Sequence, residues 1–188
     1  MQPDQGIKQM TNSEVSPFFS QSLVYLISLP PSALADPKGA IISSLHTNVL
    51  KYDPRVSGVL ISFKDISFAK DKCVGTIMNE QAWINFKVEC TGTIFVPKVG
   101  QSLTGTVNKC TSGHIGLLAY GFFNASIPES SLRGNGNMGF SEGGEGEEEG
   151  EWKSEDGEVI KVGSNVNLVI KKIHHLEGVV SIEGELVR

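Results

Sequence analysis

Between Gly100 and Val187 the apolar residues fall into five short runs, three before and two after a glycine- and glutamate-rich interruption. The first three are Leu103–Lys109, His114–Tyr120 and Phe122–Ile127, and a helical or turn segment, Pro128–Arg133, leads into the interruption. The last two are Ser164–Ile173, with Val166, Leu168 and Ile170 facing inward, and Gly178–Val187. A period of two marks strands with one dry and one wet face. Three strands, an interruption and two more is the order of an OB-type five-stranded barrel, and other small β-barrels share the count.

The N-terminal half follows a different pattern. Residues 1–18 are polar and irregular and read as a flexible leader. Ser22–Leu29 is β-favouring and apolar on both faces, the mark of a central strand. Asp36 and Pro37 then open a helix as N-cap and first helical residue, with Ile41, Ile42, Leu45, Val49 and Leu50 at helical spacing over about 14 residues. Asp53-Pro54 breaks it, and Arg55–Phe68 reads as a long strand with a possible bend at Gly58 or Asp65. Ile84, Phe86, Val88 and Cys90 alternate with polar residues, so this strand, continuing to Val96, has one wet face. The composition changes at Pro97–Gly100, which divides the chain into a small domain at 19–97 and a barrel domain at 98–188. The fold class is therefore α+β, mostly β: an antiparallel sheet with one packed helix, then a barrel interrupted by an acidic loop at about 134–158.

The net charge of −5 divides unevenly. Residues 142–158 hold nine acidic residues against Lys153 alone, a charge of −8, which leaves +3 on the rest. Such a segment is expected to be solvated and disordered, so removing Glu142 to Asp156 should cost the core little; Trp152 is the one residue in it able to anchor a contact. A charge of +3 neither demands nor excludes nucleic acid. No apolar run approaches the roughly 18 residues of a membrane span, and no secretory leader opens the chain. Cys73, Cys90 and Cys110 are odd in number and lie far apart, which points to a reducing, intracellular setting and not to a disulfide framework or a zinc site.

Motifs for chemistry are weak. Gly134, Gly136 and Gly139 spell the dinucleotide pattern G-x-G-x-x-G, but they precede an acidic run that repels phosphate. Asn124-Ala125-Ser126 is a sequon without a signal peptide to expose it to glycosylation. Adjacent His174 and His175 in a strand point to opposite faces and are poorly placed to share a metal. No catalytic residue, metal or cofactor is expected from these motifs. Lys109, His114, Tyr120, Lys171 and Lys172 lie on barrel strands and loops, where basic and aromatic side chains could touch a single strand; of the pair Phe122 and Phe123, at least one belongs to the core.

The order VYLISLPPSALADPKGAIISSLHTNVLKYDPRVSGVLISF, Val24 to Phe63, resembles the tip domain of eukaryotic and archaeal RNA polymerase stalk subunits. SGHIGLLAYGFFNASIP, Ser112 to Pro128, resembles the barrel of the larger stalk subunits of RNA polymerase I, and Gly178 to Val187 fits their last barrel strand. The resemblance implies a truncated RNP-like tip domain followed by an OB barrel, in a non-catalytic subunit. It also implies a heterodimer with a small stalk subunit, docking on the polymerase I core, and a part in receiving the initiation factor for ribosomal RNA genes, in the nucleus and nucleolus. On that basis Leu26, Ile27, Asp53, Pro54 and Gly58 are the expected docking residues. Contact with nascent RNA is expected to be weak, because Ser112-Gly113-His114-Ile115-Gly116 stands where RNA-binding barrels place an aromatic beside glycine. The alternative reading is a free-standing single-stranded RNA- or DNA-binding OB protein.

Overall fold

The computed structural model describes residues 16–69, 74–78, 80–134, 137–142, 150–176 and 178–187. The leader at 1–15, Cys73, Gly136 and the centre of the acidic run at 143–149 lie outside the described residues. The chain divides into two compact units, one spanning Pro17–Val96 and the other containing Pro97–Arg188.

In the first unit, β1 (Phe18–Leu29) is followed by α1 (Pro37–His46), β2 (Tyr52–Asp53), β3 (Gly58–Phe68), β4 (Thr76–Ile77) and β5 (Ile84–Phe95). The sheet runs β1-β5-β3-β2, and β4 also pairs with β5. Helix α1 starts as the sequence implies: Asp36 Oδ1 accepts from Gly39 N–H at 3.0 Å, and Pro37 stands in the first turn. It ends at His46 and not at Leu50, because Leu50 turns left-handed (φ 64°) and donates its N–H to Leu60 O at 2.7 Å. Ile41 and Leu45 from the helix close one sheet face over Leu23, Tyr25, Ile27 and Leu29 of β1 and Phe86, Val88, Cys90 and Ile94 of β5.

Two strand expectations are corrected. The Ser22–Leu29 segment is an edge strand, and β5, paired to β1, β3 and β4, is the central one. Its second apolar face is not buried by another layer: Leu26 is 63% exposed, and Val24 is exposed beside it. The strand also begins earlier than expected, since Phe18, assigned to the leader by its sequence, already pairs with Phe95. Strand β3 begins at Gly58, because Asp53–Ser57 closes a turn through Val56 N–H to Asp53 O at 3.2 Å. Its bend falls at Asp65, where φ is 54° and the register shifts between Lys64 and Ser67.

The second unit contains β6 (Ser102–Cys110), β7 (His114–Ala119), β8 (Phe123–Pro128), α2 (Glu129–Gly134), β9 (Met138–Ser141), β10 (Glu151–Ser154), β11 (Val159–Ile160), β12 (Asn165–Leu176) and β13 (Val179–Leu186). Strands β12-β13-β8-β7-β6 form a closed barrel in which β13 and β8 are parallel and every other neighbouring pair is antiparallel. That order is the OB topology, which resolves the choice among small barrels. Closure leaves no free edge among these five strands and buries Leu103, Val107, Ile115, Leu117, Phe123, Leu168 and Ile182 inside.

The reading of 134–158 as a disordered loop fails on its flanks. Strands β9, β10 and β11 form a three-stranded sheet in which Met138, Trp152 and Ile160 are buried. Trp152 is fully buried, donates its indole N–H to Thr111 O at 3.0 Å, and packs against the Phe140 ring with centroids 5.4 Å apart. Charge density hid this sheet: one tryptophan with two or three apolar neighbours outweighs the acidic residues around it.

Candidate partner and nucleic-acid surfaces

The barrel candidates do not converge. Lys109 is exposed on β6 opposite Gly116, at the same end as the β6–β7 turn. There the Thr111 hydroxyl lies 3.2 Å from His114 Nδ1 and accepts from the His114 N–H at 3.3 Å, which places His114 as a turn residue. Tyr120 follows the opposite end of β7, roughly 20 Å of strand away from His114. Its burial pushes its phenol pKa upward. Phe123 is the core member of its pair, and Phe122 is exposed.

Lys171 and Lys172 have partners. A register shift between Ile170 and Lys172 places an extra residue in β12, and both consecutive lysines then reach β13 carboxylates. Lys171 Nζ lies 2.8 Å from Glu185 Oε2, and Lys172 Nζ lies 3.2 Å from Glu183 Oε1. The Lys172 hydrogen bond is the main cause that holds the Glu183 carboxyl below its ordinary pKa, and His174 adds to it from 3.5 Å. Each lysine thus stands beside a carboxylate, which lowers the net positive charge that this patch presents to phosphate.

The loop that grips nucleic acid in many OB folds, between the first two strands, is also tied down. Trp152 holds Thr111 O, Gly150 N–H reaches Cys110 O at 3.3 Å, and Glu129 N–H reaches Gly113 O at 2.9 Å.

In the first unit the docking candidates separate by burial. Leu26 and Pro54 are exposed, as docking requires. Ile27 is a core residue on the helix-covered face, and Gly58 is a packing residue; neither is available to a partner. A Cβ on Gly58 would stand 2.6 Å from Ile94 Cγ2 and 2.7 Å from Phe95 O. Asp53 works inside its own loop: Arg55 grips it bidentately, Nη2 to Oδ2 at 2.6 Å and Nε to Oδ1 at 3.0 Å, and the guanidinium lies 4.9 Å over the Tyr25 ring. Asp53–Ser57 is thereby held rigid, with Pro54 outward. Sequence reasoning missed Arg55 in this role, although a carboxylate two residues before an arginine across a proline was the available signal. It also missed Met78 and Trp83 beside the β4–β5 turn, both exposed, on the side of β5 opposite the edge strand β1 that carries Val24 and Leu26.

The Arg55 hydrogen bond holds the Asp53 carboxyl below its ordinary pKa. A depressed carboxylate adds stability that is complete above the unfolded pKa and is lost as pH falls through the folded one. The urea midpoint of the first unit should therefore drop below about pH 4, and Asp53→Asn should flatten that limb. Parallel acid limbs for the two proteins would refute the assignment.

A family model described as the RPA43 OB domain in RNA Pol I matches residues 97–187, the barrel unit with its inserted sheet. The DNA-directed RNA polymerase I subunit rpa43 of Schizosaccharomyces pombe is 30% identical over 168 residues, covering 89% of this chain and 95% of the relative. The chain belongs to the RPA43 family of RNA polymerase I subunits. The RPA43 subunits of mouse and human are 39% and 38% identical over 103 residues, 55% of this chain in each case. The match covers only 31% of the mouse protein and 30% of the human one, so the chain spans nearly all of its fission yeast relative and under a third of the mammalian ones. Within this chain the family model covers the OB barrel together with the β9–β11 sheet, and the fission yeast match extends through the first unit as well.

Proposed function

We propose that this RPA43-family chain is a non-catalytic stalk subunit of RNA polymerase I. It pairs with a small stalk subunit, docks on the polymerase core and helps receive the initiation factor for ribosomal RNA genes, in the nucleus and nucleolus. The observation that carries the reading is similarity to a polymerase I subunit along nearly its whole length, over a unit with OB topology. The rigid Pro54 turn and the exposed Leu26 and Val24 support docking through the first unit, because an uncharged, proline-free edge strand is a ready template for a partner. Tagging the chain and quantifying what co-purifies tests this. Polymerase I core subunits should appear in a one-to-one ratio with it, and a chain that elutes alone would overturn the proposal.

Nucleic-acid contact is at most secondary. With Lys171 and Lys172 paired to glutamates and the β6–β7 turn tied down, the isolated chain should bind labelled oligouridine at about micromolar Kd or weaker near 150 mM salt. A nanomolar constant with a steep salt slope would favour the free-standing binder instead.

A further inference from the structure

The turn joining β7 to β8 is costly as built. Phe122 N–H bonds Ala119 O at 3.1 Å, and the two central residues, Tyr120 and Gly121, both have positive φ, 52° and 72°. This is a type I′ turn, whose first central position favours Asn or Gly because the left-handed region crowds a larger side chain. A bulky aromatic there is a genuine outlier, and Tyr120 remains 49% exposed. Phe122, two residues on, is 50% exposed, with its ring held edge-on to the buried Phe123 ring at 5.3 Å and 88°. Two half-exposed rings thus stand on a rigid tip at a cost in backbone strain, the kind of outlier that marks functional positions.

The surroundings select the occupant. Among the described residues, the outward side chains on the strand rows next to this tip include Thr104, Thr106, Leu118, Asn124, Asn165, Asn167 and Ser181, all uncharged. Thr104 and Thr106 are hydrogen-bonded to Asn167 and Asn165 at 2.7 Å and 2.9 Å, so this rim is ordered as well as neutral. On β12, Lys172 and His174 lie 3.2 Å and 3.5 Å from Glu183, and the exposed imidazole of His175, opposite Val180, is the one described base on this strand at the same barrel end that does not face it. Stacking platforms for nucleic acid need cations beside the rings to hold the phosphates, whereas aromatic anchors inside a neutral polar rim are the make-up of protein contact centres.

We infer that Tyr120 and Phe122 form a protein-docking knob that enters an uncharged apolar pocket on a protein partner. The partner's setting, a protein carried on RNA polymerase I, rests on the function proposed above. Preset rings lose little rotational freedom on binding, which favours such a contact.

The test uses the full chain in its polymerase complex. Y120N suits the turn, so its melting temperature should equal or exceed that of the unaltered chain. In complexes purified through the Y120N/F122T chain, core subunits should stay stoichiometric while one associated protein falls about tenfold or more. A benzophenone side chain at position 122 should crosslink to that same protein. Unchanged composition, or a crosslink to added oligouridine with loss of its binding in Y120N/F122T, would overturn the inference. If the unaltered chain carried no polymerase at all, the polymerase reading would fall, and the position-122 crosslink, to protein or to oligouridine, would still decide the knob.

Discussion

Trp152→Ala should destabilise the barrel unit by about 3–5 kcal/mol, lowering its urea midpoint by roughly 1.5 M or more. The magnitude follows from a fully buried indole whose neighbours, Phe140 and the Arg133 guanidinium 5.7 Å from its centre, lose their packing surface together. The Thr111 carbonyl loses its donor as well. Trp152→Phe keeps most of the packing and drops only the N–H, so it should cost about 1 kcal/mol. Circular dichroism during urea unfolding measures both. An alanine variant within about 0.5 kcal/mol of the parent would mean that the β9–β11 sheet does not hold the β6–β7 turn. The same physics reverses the expectation for the deletion Glu142 to Asp156, which removes Trp152 and all of β10. It should be severely destabilising.

The second large effect separates two adjacent residues. Ile27→Asp places a carboxylate among Tyr25, Leu45 and Phe86 in the core of the first unit and should cost more than about 4 kcal/mol, enough to unfold it. Leu26→Asp faces solvent and should change stability by no more than about 0.5 kcal/mol, while, under the function proposed above, abolishing recovery of a small stalk subunit. Melting of each purified chain, followed by co-purification, distinguishes them. If Leu26→Asp assembles normally, the outer face of β1 is not the docking surface; if Ile27→Asp melts like the parent, the core assignment is wrong.

The barrel was largely legible because its signals are local. Val166, Leu168 and Ile170 alternate, Gly178 separates the last two strands, and the order of runs implied the topology before any pairing was known. Asp36 and Pro37 likewise announced the helix start through capping chemistry confined to four residues. What failed depended on distant partners. Leu26 and Ile27 look alike in sequence, and only pairing to β5 with α1 on one side decides which of them is buried. Lys171 and Lys172 read as free bases because the bulge that turns both toward Glu183 and Glu185 has no mark in composition. Trp152 sat inside a charge run that suppressed its weight, although a lone tryptophan there was the strongest available sign of order.

The inserted sheet also bears on how the barrel closes. Strand β8 ends at Pro128 and β12 begins at Asn165, so the last two barrel strands must find β6 and β8 across a long connection. Were that connection a free coil, its whole length would enter the entropy of closure. Instead β9, β10 and β11 pair with their sequence neighbours, and the Trp152 indole fastens them to the turn at Thr111. The search is thus cut into short local steps, and the tether on the first hairpin leaves β12 close to the edge of β6 that it joins. On this view the tryptophan is a timing element as well as a packing one: it shortens the effective path to a topology whose non-local pairings would otherwise make it slow to form.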